Sequence, residues 1–326
     1  MILNLIFFVI GLLMLYYGAE WLVNGSSSLA QNLGMPPIVV GLTVVAFGTS
    51  SPEMVVSVIS SLKDKGMIAL GNVIGSNIFN ITLVLGMVAL FQPVICHRSV
   101  VRRDIPIMLG VSLYLLLISL NSELGRIEGA TLFGGIILYT CIRYYIASQG
   151  FIVKTDLKRK PVGASVKEKG LKDSRIRQIA AIVLGIIGVV AGAEILIDSA
   201  VKIMKVFGVD DKFIGLTVVA FGTSLPELAT SGIAVIKNEL DISIGNLVGS
   251  NLFNILSVLG AALLVRPISV SGGFLESGLL IDYLVMIFTS LLLFIMVKKN
   301  HIVTRLHGLI FLVCYVGYIT YLVKKL

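Results

Sequence analysis

The sequence predicts an all-α polytopic membrane protein of ten transmembrane helices, arranged as two inverted five-helix repeats. Three observations support this prediction. The chain is 56% hydrophobic and only 13% charged, apolar stretches follow one another along most of its 326 residues, and its second half repeats its first. Soluble domains carry about 25% charged residues, and about 18 apolar residues are enough to cross a bilayer. The composition therefore excludes a soluble protein.

Apolar runs between breaks define the spans, five in each half. They are residues 3–23, 36–61, 67–91, 104–121, 127–148, 178–203, 212–236, 240–265, 279–297 and 306–323. Because five is odd, the second half must enter the membrane upside down relative to the first. The chain accordingly divides into a first repeat at 1–148, a basic linker at 149–177 and a second repeat at 178–326.

The repeat itself is visible in the letters of the sequence, because adding 174 to a residue number moves from one half to the other. GLTVVAFGTSSPE at 41–53 recurs as GLTVVAFGTSLPE at 215–227, and GNVIGSNIFNI at 71–81 recurs as GNLVGSNLFNI at 245–255. The offset holds without a gap for about eighty residues. Duplication kept only for packing would let the polar positions drift toward apolar ones. We therefore expect the segments 41–81 and 215–255 to carry the function.

The basic residues predict how the chain is oriented. With the N-terminus outside, 17 of the 26 Lys and Arg residues, Arg143 included, lie on the inner side, and most of these are in the loop at 154–177. The positive-inside rule then predicts a multi-pass plasma-membrane protein with both termini extracellular and a solvated cytoplasmic linker. No aromatic-basic motif accompanies the net charge of +8, so no nucleic-acid partner is expected.

The repeated segments combine helix breaks with polar groups near mid-membrane. Pro52 lacks an N–H group and its ring crowds the carbonyl of Gly48, so the second span should open there. Opened backbone at membrane depth is tolerated only where protein or a water-filled cavity satisfies it. Interrupted spans at matching places in two halves are typical of a transporter's central site. Asn72 and Asn246 are interpreted as holding these breaks together.

Spacings of three and four residues place the polar groups of each segment on one helix face. The candidate cation ligands are the side chains of Thr49, Ser50, Glu53, Ser76, Asn80, Thr223, Ser224, Glu227, Ser250 and Asn254, with the freed carbonyls of Ala46 and Ala220. An all-oxygen cage with two carboxylates suits a hard cation such as Ca²⁺, whereas zinc or copper would require imidazoles or thiolates. No basic residue lies near the depth of the two carboxylates. Glu20 and Glu194, toward span ends, are interpreted as solvated or helix-terminal residues rather than as ligands.

These motifs resemble the paired alpha-repeats of the calcium/cation antiporter superfamily, and the chain is most similar to prokaryotic sodium/calcium exchangers along essentially its whole length. The resemblance implies the sodium/calcium exchanger fold and alternating access, in which the first and sixth helices slide over the other eight. It implies Ca²⁺ extrusion driven by Na⁺, with Glu53 and Glu227 holding Ca²⁺ and sharing flanking Na⁺ ions with the hydroxyls. It implies no cofactor besides the transported ions, and we expect a monomeric transport unit in the lipid bilayer.

One departure from the superfamily pattern bears on coupling. Many members carry Asp at the position of Asn254, including potassium-dependent relatives, so this cage has two formal negative charges rather than three. This argues against obligatory K⁺ co-transport and leaves H⁺- or K⁺-coupled cation exchange as the alternative. A cation channel with a Glu-lined filter is a further alternative, although two inverted halves around one site favour alternating access. No enzyme is expected, since a hydrolase using Ser50 or Ser224 would lack a base.

Overall fold

The structure, a computed structural model, describes residues 2–33, 35–155, 175–206, 222–270 and 278–325. Its helices are α1 (Ile2–Asn32), α2 (Pro37–Thr49), α3 (Ser51–Leu62), α4 (Gly66–Phe91), α5 (Ile105–Ser119), α6 (Arg126–Thr155), α7 (Arg175–Val206), α8 (Leu225–Ile236), α9 (Leu240–Val265), α10 (Leu279–Asn300) and α11 (Arg305–Lys325). Four two-residue strands connect them: β1 (Val94–Ile95), β2 (Glu123–Leu124), β3 (Ile268–Ser269) and β4 (Ile302–Val303).

The prediction of a multi-pass membrane protein is confirmed. Within the described residues, seven helices are long and apolar enough to cross a membrane, and the bent pair α2–α3 counts as an eighth span. The helix α1 extends to Asn32, nine residues beyond its predicted end, because its small side chains at 25–27 pack into the protein instead of ending the helix. The start of the predicted span 212–236 and most of the linker 149–177 lie outside the described residues.

Several helices contain a π-helical turn that the sequence did not predict. The turns are Gly41–Val45 in α2, Asn80–Val84 in α4, Val100–Asp104 directly before α5, and Asn254–Leu259 in α9. Two of them begin at candidate ligands, Asn80 and Asn254. Such single turns are rare and are often found at functional sites, because the extra residue redirects the side chains around it.

The connections meet at two ends of the molecule. At the A end, defined by residues 92–97, 237–239 and 301–303, β1 pairs antiparallel with β4, and Gln92 Nε2 donates to Asn238 Oδ1 at 3.1 Å. At the B end, defined by residues 62–66, 122–124 and 266–269, β2 pairs antiparallel with β3, and Arg266 lies 2.9 Å from Asp64. Connections that the span count puts on one side of the membrane therefore share one end.

Helices α4 and α9 form the centre of the molecule, and most of their length is buried. By contrast, α1 and α7 pack against each other at the periphery through glycines. A Cβ atom at Gly18 would lie 2.6 Å from the main-chain nitrogen of Val189, and one at Gly185 would lie 2.6 Å from that of Leu22. Only glycine allows the two backbones to come so close, as in other small-residue contacts between membrane helices.

A buried ion pair corrects one reading of the sequence. Arg143, counted above as a topology charge at the inner end of its span, is 2% exposed and lies 3.6 Å from the fully buried Asp104. Tyr139 also donates to Asp104, at 3.3 Å. Arg143 therefore ties α6 to the start of α5 near the A end, because a charge removed from water must be paired.

Candidate cation site

The site begins where the chain bends between α2 and α3. The two helices meet at 45°, and Pro52 occupies the first turn of α3, where its missing N–H costs no helical hydrogen bond. The expectation that the carbonyl of Ala46 is freed is wrong, since it accepts the Ser50 N–H at 3.0 Å. The helix is still intact at Ala46 because Pro52 removes the donor to Gly48, two residues later. Ala220 lies outside the described residues.

Each carboxylate accepts a hydrogen bond from a hydroxyl of the other half. Ser50 Oγ donates to Glu227 Oε1 at 3.1 Å, and Ser224 Oγ donates to Glu53 Oε1 at 3.2 Å. These two bonds are related by the offset of 174, so the two repeated segments meet face to face. The predicted convergence of the four side chains is thus present in the structure.

A second hydroxyl contacts each carboxylate from within its own half. Ser76 Oγ donates to Glu53 Oε1 at 3.4 Å, and Ser250 Oγ donates to Glu227 Oε1 at 3.4 Å. The serines come from the buried helices α4 and α9, whereas the carboxylates come from α3 and α8. The cage is therefore assembled from four helices, and all four of these side chains are at least 95% buried.

The two threonines join the cage to the asparagines that brace the helix breaks. Thr49 Oγ1 donates to Asn246 Oδ1 at 3.0 Å, and Thr223 Oγ1 lies 3.5 Å from Asn72 Oδ1. Asn72 Nδ2 in turn donates to the main-chain oxygen of Glu53 at 3.3 Å and to Ser57 Oγ at 3.0 Å. These bonds tie α3 to α4 beside the bend, as the interpretation of Asn72 requires. Asn246 makes the matching bond to Ser231 Oγ at 3.0 Å.

Four buried oxygens of the cage accept no hydrogen bond. They are Glu53 Oε2, Glu227 Oε2, Asn80 Oδ1 and Asn254 Oδ1. A buried acceptor without a donor costs about 1–3 kcal/mol, and more when it carries charge. Two carboxylates and two amides thus each keep one buried oxygen free, and oxygens of these kinds are the ligands that a hard cation takes.

No described basic side chain forms an ion pair with Glu53 or Glu227, although both are fully buried. An unpaired carboxylate in an apolar interior is costly, and two close together repel each other as well. A bound cation relieves both costs. Imidazole and thiolate ligands are not part of this cage, and among the described residues no three His, Cys, Asp or Glu side chains cluster.

The cysteines lie apart from the cage, and all three are free thiols. Cys96, next to β1 at the A end, is 2% exposed, and burial raises the pKa of its thiol to about 12. It is therefore protonated at neutral pH and a poor metal ligand, since the thiolate is the form that binds metals.

A cavity of about 350 Å³ adjoins the cage on its B-end side, between α3 and α7. Pro52 and Val56 line it on one side, Glu194 and Ile197 on another, and Thr223 at its base. Glu194 is exposed, which agrees with its interpretation as a solvated residue. Of the candidate ligands in the described residues, the cavity contacts Thr223, while both carboxylates are fully buried behind it.

On the A-end side, by contrast, α1 packs against α8. Thr230, which the offset of 174 relates to Val56, is fully buried. Lys237 Nζ lies 2.8 Å from Glu20 Oε1, and Ser27 Oγ donates to Glu239 Oε1 at 2.5 Å. Glu20 is 28% exposed, so it is partly buried and ion-paired rather than fully solvated.

Sequence reasoning missed two residues that contact the candidate ligands Asn80 and Asn254, namely Asn251 and Asn77. Their side chains are each 1% exposed and bond to residues of the opposite half. Both belong to the repeated GSN letters of GNVIGSNIFNI and GNLVGSNLFNI, so the duplication could have pointed to them. Each directly follows a candidate serine in the sequence, so helical spacing puts it on a different face and does not indicate a ligand.

Comparison with known proteins identifies the family. The "Sodium/calcium exchanger protein" family matches residues 3–145 and 177–324. The chain belongs to this family. The match spans both repeats and stops only at the linker and the extreme termini, so both halves of the cage lie within it.

Relatives match along most of the chain. The sodium/calcium exchanger MaX1 of Methanosarcina acetivorans is 30% identical over 347 residues, covering 98% of each protein. The inner membrane protein YrbG of Escherichia coli K12 is 37% identical over 262 residues, covering 79% of each. Among solved structures, the sodium-calcium exchanger NCX_Mj soaked with Na⁺ and Sr²⁺ superposes with a TM-score of 0.82 at 32% identity, covering 98% of each chain. The exchanger fold implied by the sequence motifs is therefore the fold of this chain.

Proposed function

We propose that this chain is a secondary antiporter that exchanges Na⁺ for Ca²⁺ across the membrane. The observation that carries the proposal is the cage itself, in which two buried carboxylates without a basic partner face each other across the two halves, among hydroxyl and amide oxygens. Its two formal negative charges balance one Ca²⁺ or two Na⁺ ions. The names of MaX1 and NCX_Mj, both sodium/calcium exchangers, support the same pair of ions.

The ligands we propose are the side chains of Thr49, Ser50, Glu53, Ser76, Asn80, Thr223, Ser224, Glu227, Ser250 and Asn254, with the main-chain oxygens of Ala46 and Ala220. The carboxylates, which carry the charge, would hold Ca²⁺, and the hydroxyls would complete flanking Na⁺ sites. A carbonyl oxygen has two lone pairs, so Ala46 can ligate an ion while accepting the Ser50 N–H. Because one chain supplies the complete set, we propose that the monomer is the transport unit.

For the architecture, we propose ten spans in two inverted repeats. Support comes from the hydrogen bonds of the cage, which recur with donor and acceptor halves exchanged, and from the connections, which alternate between the A and B ends. The distribution of Lys and Arg supports a cytoplasmic A end and extracellular termini in the plasma membrane.

The mechanism we propose is alternating access by α1 and α7 moving together over the other helices. The open cavity on the B-end side and the packed α1–α8 contact on the A-end side are what a conformation open at the B end and closed at the A end would have. The pseudo-two-fold relation between the repeats makes the opposite state available, with α7 packed on α3 and α1 withdrawn from α8. Smooth glycine-lined packing between α1 and α7 would let the pair move as one body.

Transport in vesicles tests this proposal. Purified protein in Na⁺-loaded proteoliposomes should take up Ca²⁺ when the Na⁺ gradient points outward, at fixed pH and without K⁺. Collapsing the Na⁺ gradient should stop uptake. If three Na⁺ ions exchange for one Ca²⁺, an applied potential should change the driving force by about 2.3 kcal/mol per 100 mV.

Each alternative predicts a different pattern in the same assay. Uptake that persists without any Na⁺ gradient contradicts antiport and indicates a channel. Uptake driven equally by a pH gradient indicates proton coupling, and uptake that requires K⁺ indicates potassium coupling. Absence of Ca²⁺ uptake under every gradient, from protein that is folded and inserted, contradicts the proposed substrate.

A further inference from the structure

Four asparagines, Asn77, Asn80, Asn251 and Asn254, meet where α4 and α9 cross. Four hydrogen bonds, in two pairs related by the offset of 174, join them into one network. Asn77 Nδ2 donates to the main-chain oxygen of Asn251 at 3.2 Å, and Asn251 Nδ2 donates to the main-chain oxygen of Asn77 at 3.2 Å. Asn80 Nδ2 donates to Asn251 Oδ1, and Asn254 Nδ2 donates to Asn77 Oδ1, both at 3.1 Å. All four side chains are at least 99% buried.

The main-chain carbonyls fix the orientation of this whole network. A carbonyl oxygen can only accept, so the group that Asn77 presents to the carbonyl of Asn251 must be its NH₂ group. The Oδ1 atom of Asn77 then faces Asn254, which must answer with its own NH₂ group. The Oδ1 atom of Asn254 is consequently turned away from Asn77, and it is one of the four unbonded oxygens of the cage.

The same sequence of donors and acceptors sets the other amide. The main-chain carbonyl of Asn77 fixes the orientation of the Asn251 side-chain amide, because it accepts from Asn251 Nδ2. Asn251 Oδ1 then accepts from Asn80 Nδ2, which leaves Asn80 Oδ1 without a hydrogen bond. Turning either Asn80 or Asn254 by 180° would bring two oxygens together and point an NH₂ group at the cation. Two oxygens that face each other leave buried polar groups unpaired, which costs about 1–3 kcal/mol. An NH₂ group that faces the cation repels it.

We propose that Asn77 and Asn251 are positioning residues for the cation, a role that rests on the function proposed above. Without being ligands themselves, they hold the amides of Asn254 and Asn80 so that only oxygen faces the ion. An amide held in this way presents only an acceptor oxygen to the cation, as a carboxylate does, but adds no charge. The cage can thus carry Asn in both halves, keep two formal negative charges, and still be lined with acceptors.

Replacement by leucine, which has nearly the same size and no polar atoms, tests the proposal. Asn77→Leu frees the amide of Asn254 to rotate, and we expect the Kd for Ca²⁺ in Na⁺-free solution to rise about 10- to 100-fold. Titration calorimetry on the purified full-length protein measures it. Thr82→Val is the matched control, because Thr82 is buried in the same helix and, among the residues that the structure describes, its hydroxyl bonds to the main-chain oxygen of Ile78 alone. Its Kd should stay within about twofold of the parent.

A double-mutant cycle separates positioning from a general loss of structure. Asn77→Leu breaks the contact to Asn254 but leaves the bond from Asn251 to the main chain of residue 77 in place. In an Asn254→Ala background, Asn77→Leu should therefore change the Kd by less than about twofold. In an Asn80→Ala background it should have its full effect. If the Asn77→Leu protein does not fold, Asn251→Leu carries the same test with the two backgrounds exchanged.

Two results would overturn the inference. One is an unchanged Kd in both leucine variants, and the other is an equal loss in the Asn254→Ala and Asn80→Ala backgrounds. Neither result touches the proposed exchange, which fails only if the unmodified protein binds no Ca²⁺ and shows no Na⁺-dependent uptake.

Discussion

The two ends of the molecule differ, although the repeated segments at 41–81 and 215–255 between them are closely similar. At the A end the ion pairs are buried or half-buried: Asp104–Arg143 is at most 2% exposed and Glu20–Lys237 is 28% exposed on both sides. At the B end the side chains of the pairs Asp64–Arg266 and Asp198–Lys202 are 48–74% exposed, and a cavity extends as far as Thr223. Three of these ion pairs have no counterpart under the offset of 174, so they reflect different residues in the two halves. The Glu20–Lys237 pair, the cavity and the α1–α8 contact lie at positions that both repeats share, and their asymmetry describes one conformational state.

The clearest case is a pair of charges that both repeats contain. Glu20 and Lys237 form an ion pair, but their counterparts under the offset of 174, Glu194 and Lys63, do not pair with each other. Glu194 lines the open cavity instead. In the opposite state the two pairs would exchange roles, which makes this ion pair a marker of which end is closed.

Of the substitutions at the A end, removal of Arg143 should lower the free energy of unfolding the most. Arg143→Met removes the buried guanidinium 3.6 Å from Asp104 and leaves only the partly exposed Arg103 beside it, which should lower the free energy of unfolding by about 3 kcal/mol. Arg103→Met is the matched control. Arg103 lies 3.8 Å from the same carboxylate but is 30% exposed, so its loss should cost less than about 1 kcal/mol. Thermal unfolding in detergent compares the two, and equal losses would contradict the role given to Arg143.

A smaller effect is expected at the ion pair that marks the closed end. Lys237→Gln removes a partly exposed pair worth up to about 1 kcal/mol, so the population open at the A end should rise by at most about fivefold. A single cysteine at Thr230→Cys, in a background without the three native cysteines, reports this population by its rate of labelling with a maleimide. Thr230 is fully buried now, whereas its counterpart Val56 lines the cavity.

The matched control is Lys63→Gln, which removes the corresponding charge at the open end. It should not raise the labelling rate of Thr230→Cys, because Lys63 forms no ion pair with Glu194 in this state. A rise equal to that of Lys237→Gln would contradict the link between the Glu20–Lys237 pair and closure of the A end.

The sequence alone was enough to predict several of the features that lie in the repeated segments 41–81 and 215–255. The letters of the repeats predicted that the hydroxyls and carboxylates of the two segments converge on one cage. The structure adds the pairing, in which Ser50 contacts Glu227 and Ser224 contacts Glu53. The bend at Pro52 followed from the missing N–H. The expected free carbonyl at Ala46 was wrong, because Pro52 removes the donor to the carbonyl of Gly48 and not the donor to that of Ala46.

Other features depend on packing and on state, which local sequence does not encode. The strands have two residues each, too few for a period to show, and the π-helical turns at Asn80 and Asn254 arise from one extra residue in a helix of ordinary composition. The roles of Asn77 and Asn251 require knowing which main-chain carbonyl lies opposite each amide. The pairing of Glu20 but not Glu194 cannot be read from letters that are the same in both halves.

The central claim is that two halves build one cation site, and Ca²⁺ binding tests it most directly. Titration of the purified protein in Na⁺-free solution should give one tightly bound Ca²⁺ per chain. Glu53→Gln and Glu227→Gln should each weaken that binding at least about a hundredfold, since either change removes one of two carboxylates at short range from a divalent ion. Two independent Ca²⁺ sites per chain, or near-normal binding in either variant, would contradict the account.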